Sequence, residues 1–284
     1  MSLLEAAPAK INLALHVTGR RGDGYHLLDS LVVFAELGDH LVLSHSAPLP
    51  QLEIIGPFGP VLRAEAGNLV LDAARAFCDR TGIELGGVSF TLEKNLPVAS
   101  GIGGGSADCA ATLRLLNRTF GLPLSEAELA ALGLTLGADV PVCLGSQSCR
   151  MSGIGEKITP LAMPPLDLVL INPGVGVSTG AVFTALEGAY TEPMAGEPPR
   201  DRAAFTQWLH AQRNDLERPA MAECPSIMAI KEALEATDGC TLARMSGSGA
   251  TVFGLYDRSD QAQDAAARLK AAYPGWWVEA TRTV

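Results

Sequence analysis

The sequence predicts an α+β protein of two domains. Strand-like and helix-like segments are mixed along the chain without strict alternation, which is typical of α+β folds. With 284 residues, the chain is long enough to form two medium-sized domains. A proline-rich stretch at 159–165 interrupts the pattern of elements, and we place the domain boundary there, giving predicted domains at 1–161 and 162–284.

Hydrophobic periodicity predicts the elements of the first domain. Apolar and polar residues alternate over 10–17, which indicates a strand with Lys10 and Asn12 on one face. Apolar residues spaced three and four apart predict a helix from Asn68 to Arg80, closed by Gly82. Strands are also expected at 29–37, 39–45, 51–55, 88–93, 140–144 and 149–159, and helices at about 106–119 and after a capping box at 125–128.

The second domain has the same mixture of elements. A strand at 167–172 is followed by a helix at about 180–189 and a surface loop rich in proline and glycine at 191–200. Two helices, two short strands around 241–257, a helix at 259–273 and a final strand at 276–282 complete the prediction.

Composition excludes several classes of partner. The 21 Lys and Arg residues against 31 Asp and Glu residues give a net charge of 21 − 31 = −10, and no basic run is present, so nucleic acid is not an expected partner. The apolar segment 129–145 is short and carries Asp139, which disfavours a membrane span. The N-terminus lacks a signal-peptide pattern, and the six cysteines show no metal-ligand spacing. We therefore expect a cytoplasmic protein whose partners are small molecules.

The stretch from Pro97 to Ala111 is the most informative segment. Four of its five positions from Gly101 to Gly105 are glycine, and a strand precedes it while a helix follows. Glycine lets a ligand approach the main chain, and the first turn of a helix offers unpaired N–H donors to an anion. The loop lacks the ending of a P-loop and the glycine spacing of a dinucleotide-binding loop. It predicts a phosphate site, with a purely structural glycine turn as the alternative.

The loop resembles the signature of the GHMP kinases, the superfamily of galactose, homoserine, mevalonate and phosphomevalonate kinases. Further blocks that resemble the family follow in family order over nearly the whole chain; they are Lys10-Ile11-Asn12-Leu13, Gly24-Tyr25-His26, 136–141, 153–156, 214–217 and 246–249. These blocks are most similar to members that phosphorylate a cytidine-diphosphate-linked methylerythritol. The resemblance implies a two-domain GHMP kinase fold with an ATP-binding N-terminal domain and a ferredoxin-like C-terminal domain.

The resemblance implies two catalytic residues. Asp139 matches the family's proposed general base, and Lys10 matches a lysine that lies beside that carboxylate and the substrate hydroxyl. An adjacent ammonium favours the ionised carboxylate. From the residues alone, Asp139 could equally be a capping or turn residue, and Lys10 could point into water.

Substrate-binding residues also follow from the resemblance. Asn12 would hydrogen-bond the substrate, Tyr25 would stack on the cytosine ring, and His26 would bind the edge of that ring. Phe183 matches the position of a second ring around the base. Without the resemblance, Tyr25 and His26 could simply begin a strand, and Phe183 could be a helix core residue.

ATP would occupy the glycine loop and an adenine pocket, with Mg²⁺ as the metal ion. The pocket positions implied by the resemblance are Asn68, Leu69 and Lys94, although Asn68 also has the character of a helix N-cap. Ser106 could coordinate Mg²⁺, bind a phosphate or cap the helix. The loop positions are Pro97, Val98, Ala99, Ser100, Gly101, Ile102, Gly103, Gly104, Gly105, Ser106 and Ala107.

The expected function is transfer of the ATP γ-phosphoryl group to a hydroxyl of the cytidylyl substrate, a step on the non-mevalonate route to isoprenoid precursors. One alternative is another GHMP kinase of the homoserine or mevalonate type. A second is a non-catalytic nucleotide-binding sensor on the same scaffold, although such a protein would be expected to lose the Lys10 and Asp139 pair.

Overall fold

The computed structural model describes residues 2–45, 51–63, 67–121, 124–186 and 190–284. The chain forms two compact units. Unit 1 comprises Met1–Ala9, Gly38–Val98 and Gly103–Ser146, and unit 2 comprises Lys10–Leu37, Ala99–Ile102 and Gln147–Val284. Within the described ranges, no helix is long and apolar enough to cross a membrane.

Ten strands and ten helices are described. The strands are β1 (Leu3–Arg20), β2 (His26–His45), β3 (Gln51–Ile55), β4 (Val88–Glu93), β5 (Cys149–Gly153), β6 (Lys157–Pro160), β7 (Asp167–Asn172), β8 (Cys240–Met245), β9 (Val252–Tyr256) and β10 (Trp277–Arg282). The helices are α1 (Gly59–Arg63), α2 (Leu69–Thr81), α3 (Gly104–Thr119), α4 (Glu126–Leu136), α5 (Val140–Gly145), α6 (Thr179–Thr184), α7 (Arg202–His210), α8 (Glu217–Glu223), α9 (Ser226–Glu235) and α10 (Ser259–Ala272).

Unit 1 combines part of a sheet with the helices α1 to α5. The end of β2, His40–His45, pairs antiparallel with β4, and β3 pairs parallel with β4. Helix α3 is buried along most of its length, which explains its many small apolar residues. The capping box predicted at Ser125 forms, since the Ser125 hydroxyl accepts from the Glu128 N–H and the Glu128 carboxylate accepts from the Ser125 N–H.

Unit 2 contains a four-stranded antiparallel sheet in the order β10-β7-β9-β8. The chain runs β7, helices, β8, β9, α10 and β10, which is the ferredoxin-like arrangement, and the predicted fold of the C-terminal domain is confirmed. Buried aliphatic residues of β7 and β9 pack with those of α9 and α10 in one core, exemplified by Ile171, Val252, Ile230 and Leu269. The start of β2 pairs with β5, and β5 pairs with β6.

Several predicted boundaries differ from the structure. The predicted strand at 140–144 is wrong, because those residues form α5. A short apolar run fits a helix as well as a strand, and Pro141 favours the helix because proline is tolerated in a first turn. The two strands predicted at 29–37 and 39–45 are one strand. It continues through Gly38, where a Cβ would lie 2.5 Å from the Ala7 carbonyl oxygen.

Other elements are shorter or longer than the sequence pattern indicated. β1 starts at Leu3 rather than Lys10, and α3 starts at Gly104 rather than at about residue 106. The predicted strand at 149–159 is divided into β5 and β6. The helix predicted at about 180–189 is α6, Thr179–Thr184, and residues 187–189 lie outside the described ranges.

A buried ion cluster lies beneath the start of α3. The Lys94 ammonium, 3% exposed, donates to Asp39 at 2.5 Å and to Asp108 at 2.7 Å. The other Asp39 oxygen accepts from the N–H groups of Asn95 and Leu96, at 2.6 and 2.9 Å. The cluster therefore joins the residues that leave β4 to the second turn of α3.

The cluster contains two carboxylates and one ammonium. Burial raises the pKa of Asp108 to about 7, even though the Lys94 ammonium opposes the shift. The Oδ1 atom of Asp108 has no hydrogen-bond partner among the described residues, as expected for the less well satisfied member of the cluster. Burial therefore makes the Asp108 carboxylate easier to protonate than an exposed aspartate, since it raises the pKa of that group.

This arrangement predicts a pH-dependent effect of Asp108→Asn on stability. Between its ordinary pKa of 3.8 and about 7, the folded protein holds a proton at Asp108 that the unfolded chain releases, so this contribution to stability falls as the pH rises. Asparagine does not titrate, so the variant lacks this pH-dependent loss of stability. We expect its free energy of unfolding, measured by urea denaturation, to rise relative to that of the parent protein as the pH increases from about 5 to about 8.

The matched control is Asp79→Asn, which changes an exposed carboxylate on α2 in the same unit. Its stability relative to the parent protein should stay nearly constant over the same range. A pH-independent difference for Asp108→Asn would contradict the protonation assigned to that group.

Candidate active site

The glycine-rich stretch forms the predicted succession of strand, loop and helix. β4 ends at Glu93, and α3 begins at Gly104. Gly101 and Gly103 have φ values of +76° and +66°, in the left-handed region that favours glycine. Helix α3 is sixteen residues long, and its first N–H groups have no partner within the helix, so its N-terminus is suited to an anion.

Close packing explains some of the glycines. In unit 2, a Cβ on Gly101 would lie 2.6 Å from the Gly249 carbonyl oxygen and 2.7 Å from that of Ser246. In unit 1, a Cβ on Gly104 would lie 3.1 Å from the Lys94 ammonium nitrogen. Gly105, in contrast, is exposed in the first turn of α3. Close packing thus explains Gly101 and Gly104 without a ligand, as the alternative of a structural glycine turn expects. The exposed Gly105, which carries no side chain, leaves the start of α3 open to a ligand.

Of the three predicted adenine-pocket residues, Leu69 lies beside this helix start. Asn68 caps α2, accepting from the Val70 N–H at 2.9 Å, so its predicted capping role is confirmed. Leu69 lies close to Gly105, since a Cβ there would be 3.2 Å from the Leu69 Cδ1. The third, Lys94, has its side chain in the ion cluster, where it holds the protein rather than facing solvent.

Asp139 lies in the turn between α4 and α5. It occupies the N-cap position of α5 without a capping hydrogen bond from its side chain, and it is half-buried. Ser106, in the first turn of α3, faces this turn, because its Oγ lies 4.0 Å from where a Cβ would stand on Gly137. Unit 1 therefore places Ser106, the open helix start and the turn that carries Asp139 in one neighbourhood.

Lys10 and Asn12 lie on β1 in unit 2 and are both 4% exposed, so Lys10 does not point into water. The Lys10 N–H donates to the Ile102 carbonyl at 2.9 Å, which places it beside the segment 99–102 of the glycine-rich stretch. The Asn12 N–H donates to the Ser246 hydroxyl at 3.0 Å, and its amide donates to Ser30 at 2.7 Å. The Asn12 Oδ1 is buried without a hydrogen-bond partner among the described residues.

The loop 246–249 is joined to the segment 99–102 within unit 2. The Ser246 hydroxyl donates to the Gly101 carbonyl at 3.1 Å, and the Thr251 N–H donates to the Ser100 carbonyl at 3.0 Å. The later loop thus supports the shape of the glycine-rich stretch, which agrees with the structural role that the sequence left open for it.

The block 214–217 has a structural role that sequence reasoning missed. The Asn214 amide donates to the Met245 and Gly247 carbonyls, both at 2.8 Å, and the Glu217 carboxylate accepts from the Met245 N–H at 2.8 Å. Asp215 accepts from the Val17 N–H at 2.7 Å. These polar residues in adjacent positions fix β1 and the loop 246–249, and periodicity gave no signal of their distant partners.

A cavity of about 350 Å³ lies in unit 2. The rings of His26 and Phe183 stack in it, with centroids 5.0 Å apart and an angle of 22° between planes. Tyr25 is 61% exposed and is not among the residues that line the cavity. The lining residues are Val17, Arg20, Gly24, His26, Phe183, Thr184, Leu186, Tyr190, Thr191 and Asp215. The structure thus brings together His26 and Phe183, and it adds Tyr190, which the sequence did not single out.

The electrostatics of this cavity favour a neutral imidazole. Burial and, second, the nearby Arg20 charge lower the pKa of His26 below its ordinary value of 6.5. A neutral imidazole presents one donor and one acceptor nitrogen, so it can bind the polar edge of a planar heterocycle.

Two family models match separate parts of the chain. The family model described as the GHMP kinases N terminal domain matches residues 68–147, and the model described as GHMP kinases C terminal matches residues 199–275. They fall on either side of the predicted domain boundary near residue 161, which itself stays a prediction.

Curated relatives and solved structures match over nearly the full length. A 4-diphosphocytidyl-2-C-methyl-D-erythritol kinase of Paracoccus denitrificans is 54% identical over 281 residues, covering 98% of this chain and 95% of the relative. One of Parvibaculum lavamentivorans is 51% identical over 283 residues, covering 97% and 96%. A crystal structure of 4-(cytidine 5′-diphospho)-2C-methyl-D-erythritol kinase is 34% identical, with a TM-score of 0.82, over 99% of this chain and 100% of that chain.

Both halves of the chain match the family models, and the relatives match from end to end. The predicted two-domain kinase fold is confirmed, and the chain belongs to the GHMP kinase family.

Proposed function

We propose that this chain transfers the γ-phosphoryl group of ATP to a hydroxyl of 4-(cytidine 5′-diphospho)-2-C-methyl-D-erythritol, in the non-mevalonate route to isoprenoid precursors. The near full-length identity of about half with kinases of that name carries the proposal. The His26–Phe183 cavity supports it, because its volume of about 350 Å³ is within the range of small-ligand sites and its stacked rings suit a planar base.

The donor phosphates are assigned to the start of α3. The N–H groups of the first turn and the positive end of the helix dipole can stabilise the negative charge of the phosphates, although the loop contains no lysine. This local stabilisation has to outweigh the repulsion from a chain of net charge −10. A bound Mg²⁺ would supply positive charge that offsets the charge developing on the transferred phosphoryl group. The Ser106 hydroxyl, in the first turn of α3, is the side chain that could help to hold this ion.

The acceptor chemistry is assigned to Asp139 and Lys10. Asp139 would accept the hydroxyl proton as that oxygen bonds to the γ-phosphorus, while the bond from the γ-phosphorus to the β,γ-bridging oxygen breaks and ADP leaves. The Lys10 ammonium would stabilise the ionised carboxylate and the forming alkoxide. Tyr25, His26 and Phe183 would hold the cytosine, and Asn12 would orient the substrate through its buried Oδ1. We assign the Lys94 side chain to positioning the glycine loop rather than to contact with adenine. A cytoplasmic location stays a prediction.

The acceptor is tested by comparing alcohols at saturating Mg-ATP. We expect turnover of the cytidylyl alcohol. The uridylyl form of the same alcohol should react at least ~100-fold less efficiently, because a site that hydrogen-bonds one base edge leaves polar groups unpaired with the other. Steady-state kcat/KM values give the comparison. Turnover of homoserine or mevalonate, but not of the cytidylyl alcohol, would remove the substrate assignment.

The base assignment predicts that Asp139→Asn lowers kcat by ~10²-fold or more, the scale of general-base catalysis, while the KM for ATP changes little. The matched control is Asp201→Asn, which alters another helix N-cap aspartate and lets the new amide oxygen keep the bond to the Ala204 N–H. Its kcat should match that of the parent enzyme. A normal kcat in Asp139→Asn, combined with weak ATP binding, would make Asp139 a structural residue.

The phosphate assignment predicts opposite effects of Gly105→Ala on stability and on ATP. Alanine favours helical backbone over glycine, by less in a first turn than the about 1 kcal/mol of a helix interior. The Leu69 side chain, 3.2 Å from the new Cβ, can shift to make room, so stability should not fall. The new methyl group would obstruct phosphates at the first turn, and losing one charged hydrogen bond should raise the KM for ATP by about tenfold.

The matched control is Gly145→Ala at the end of α5, where a Cβ would meet no atom within 4 Å. It should leave the KM for ATP unchanged. Thermal unfolding and steady-state kinetics with ATP are measured on both variants. An unchanged KM for ATP in a stable Gly105→Ala protein would favour the alternative that the glycine loop is a structural turn rather than a phosphate site.

A further inference from the structure

Residues 190–196, here termed the strap, form no helix or strand, yet their backbone is held at several points. The Thr191 N–H donates to the Val17 carbonyl at 2.9 Å, and the Glu192 carbonyl pairs with the His16 ring nitrogen Nδ1 at 2.9 Å. The sequence predicted an ordinary surface loop for 191–200. The hydrogen bonds show instead that the start of the strap is built onto β1 within unit 2.

The other end of the strap is held by an ion pair whose carboxylate is buried. Asp29, 4% exposed, accepts from Arg150 through both oxygens at 2.6 Å and from the Met194 N–H at 2.7 Å. Arg150 also donates to the Met194 carbonyl at 2.6 Å and to the Gly196 carbonyl at 3.1 Å. Two-point Arg–carboxylate pairing fixes geometry as well as charge, so the strap has little freedom at this end.

The strap presents Tyr190 to the cavity. Tyr190 lines it and meets His26 edge to face, with centroids 6.4 Å apart and an angle of 67° between planes. Its neighbour Thr191 also lines the cavity and donates its hydroxyl to Asp215 at 2.7 Å. Asp215 accepts further bonds from the Val17 N–H and from Arg213, so its carboxylate is occupied in holding the strap rather than open to a ligand.

Tyr190 is 49% exposed although Thr191, the residue after it, is hydrogen-bonded to β1. A large ring that is half exposed at the rim of a cavity would lose contact with water by covering a ligand, which favours binding. Tyrosine also supplies contact area with few rotatable bonds to order. Its edge-to-face contact with His26 places it against the same stacked rings that suit a planar base.

We propose that Tyr190 is a further substrate-contacting residue, covering a pyrimidine nucleotide in the His26–Phe183 cavity, and that Thr191 is a positioning residue that holds it through Asp215. The inference rests on the proposed function for the identity of the base, and it concerns the residues that grip the base rather than the phosphoryl transfer.

The test measures binding of cytidine 5′-diphosphate by calorimetry, which needs no turnover, alongside the kinetics with the cytidylyl alcohol. Tyr190→Ala should weaken binding by about 3- to 10-fold, the scale of one aromatic contact, and Tyr190→Phe should bind within about twofold of the parent protein. The KM for the cytidylyl alcohol should rise in parallel in Tyr190→Ala, while the KM for ATP stays the same.

Tyr273→Ala is the matched control, because Tyr273 is another half-exposed tyrosine that stacks on a ring, that of Trp276, at 3.9 Å and does not line the cavity. Thr191→Val removes the bond to Asp215 at nearly constant size. We expect it to weaken binding less than Tyr190→Ala does, and to add nothing in the double variant, because both changes act through one ring.

Each outcome is decisive. Unchanged affinity in a folded Tyr190→Ala protein overturns the contact, and additive losses in the double variant overturn the positioning role of Thr191. If the parent protein binds cytidine 5′-diphosphate but phosphorylates no cytidylyl alcohol, the proposed function fails while the binding arm still decides the role of Tyr190. If the parent protein phosphorylates the cytidylyl alcohol but does not bind cytidine 5′-diphosphate, the proposed function stands and the contact between Tyr190 and the base is overturned.

Discussion

One buried ammonium between two buried carboxylates is the constraint on which the glycine loop depends. Lys94 satisfies Asp39 and Asp108, and Asp39 in turn holds the N–H groups of Asn95 and Leu96. Removing Lys94 from this cluster would leave two carboxylates without a counter-charge in the interior, which is far more destabilising than the cluster is stabilising. The residues that follow β4 and the second turn of α3 are therefore held at a fixed separation. The chain between them has few conformations that can span this separation.

A second network, made of hydrogen bonds, holds the segment 99–102 of the glycine-rich stretch in unit 2. Asn214 and Glu217 fix the strand end and loop at 245–247, and Ser246 and Thr251 then hold the segment 99–102. Asn214, Glu217 and Ser246, which belong to the family blocks, thus hold the protein itself together. Asp139, Lys10, Ser106 and the open first turn of α3 are the groups assigned to the transfer.

The sequence predicted the elements that depend on hydrogen bonds between residues close together in the chain. The helix at 68–80, its Asn68 cap, the capping box at Ser125 and the strand before the glycine loop all depend on residues within a few positions of one another. The run at 140–144 was ambiguous because five apolar residues satisfy either period. The pairing of Lys94 with Asp39 joins residues 55 positions apart, and the strap that carries Tyr190 depends on Asp29 and Arg150. Periodicity does not encode such distant partners.

The hydrogen bonds between 99–102 and 246–251 have a consequence for synthesis. A chain emerging from the ribosome completes Gly101 long before it makes Ser246 and Thr251, which supply donors to that segment. The segment can therefore adopt its final shape only after most of the polypeptide has been translated. A nascent or truncated chain would hold an incomplete loop, so the ability to bind nucleotide should arise late, close to release of the finished protein.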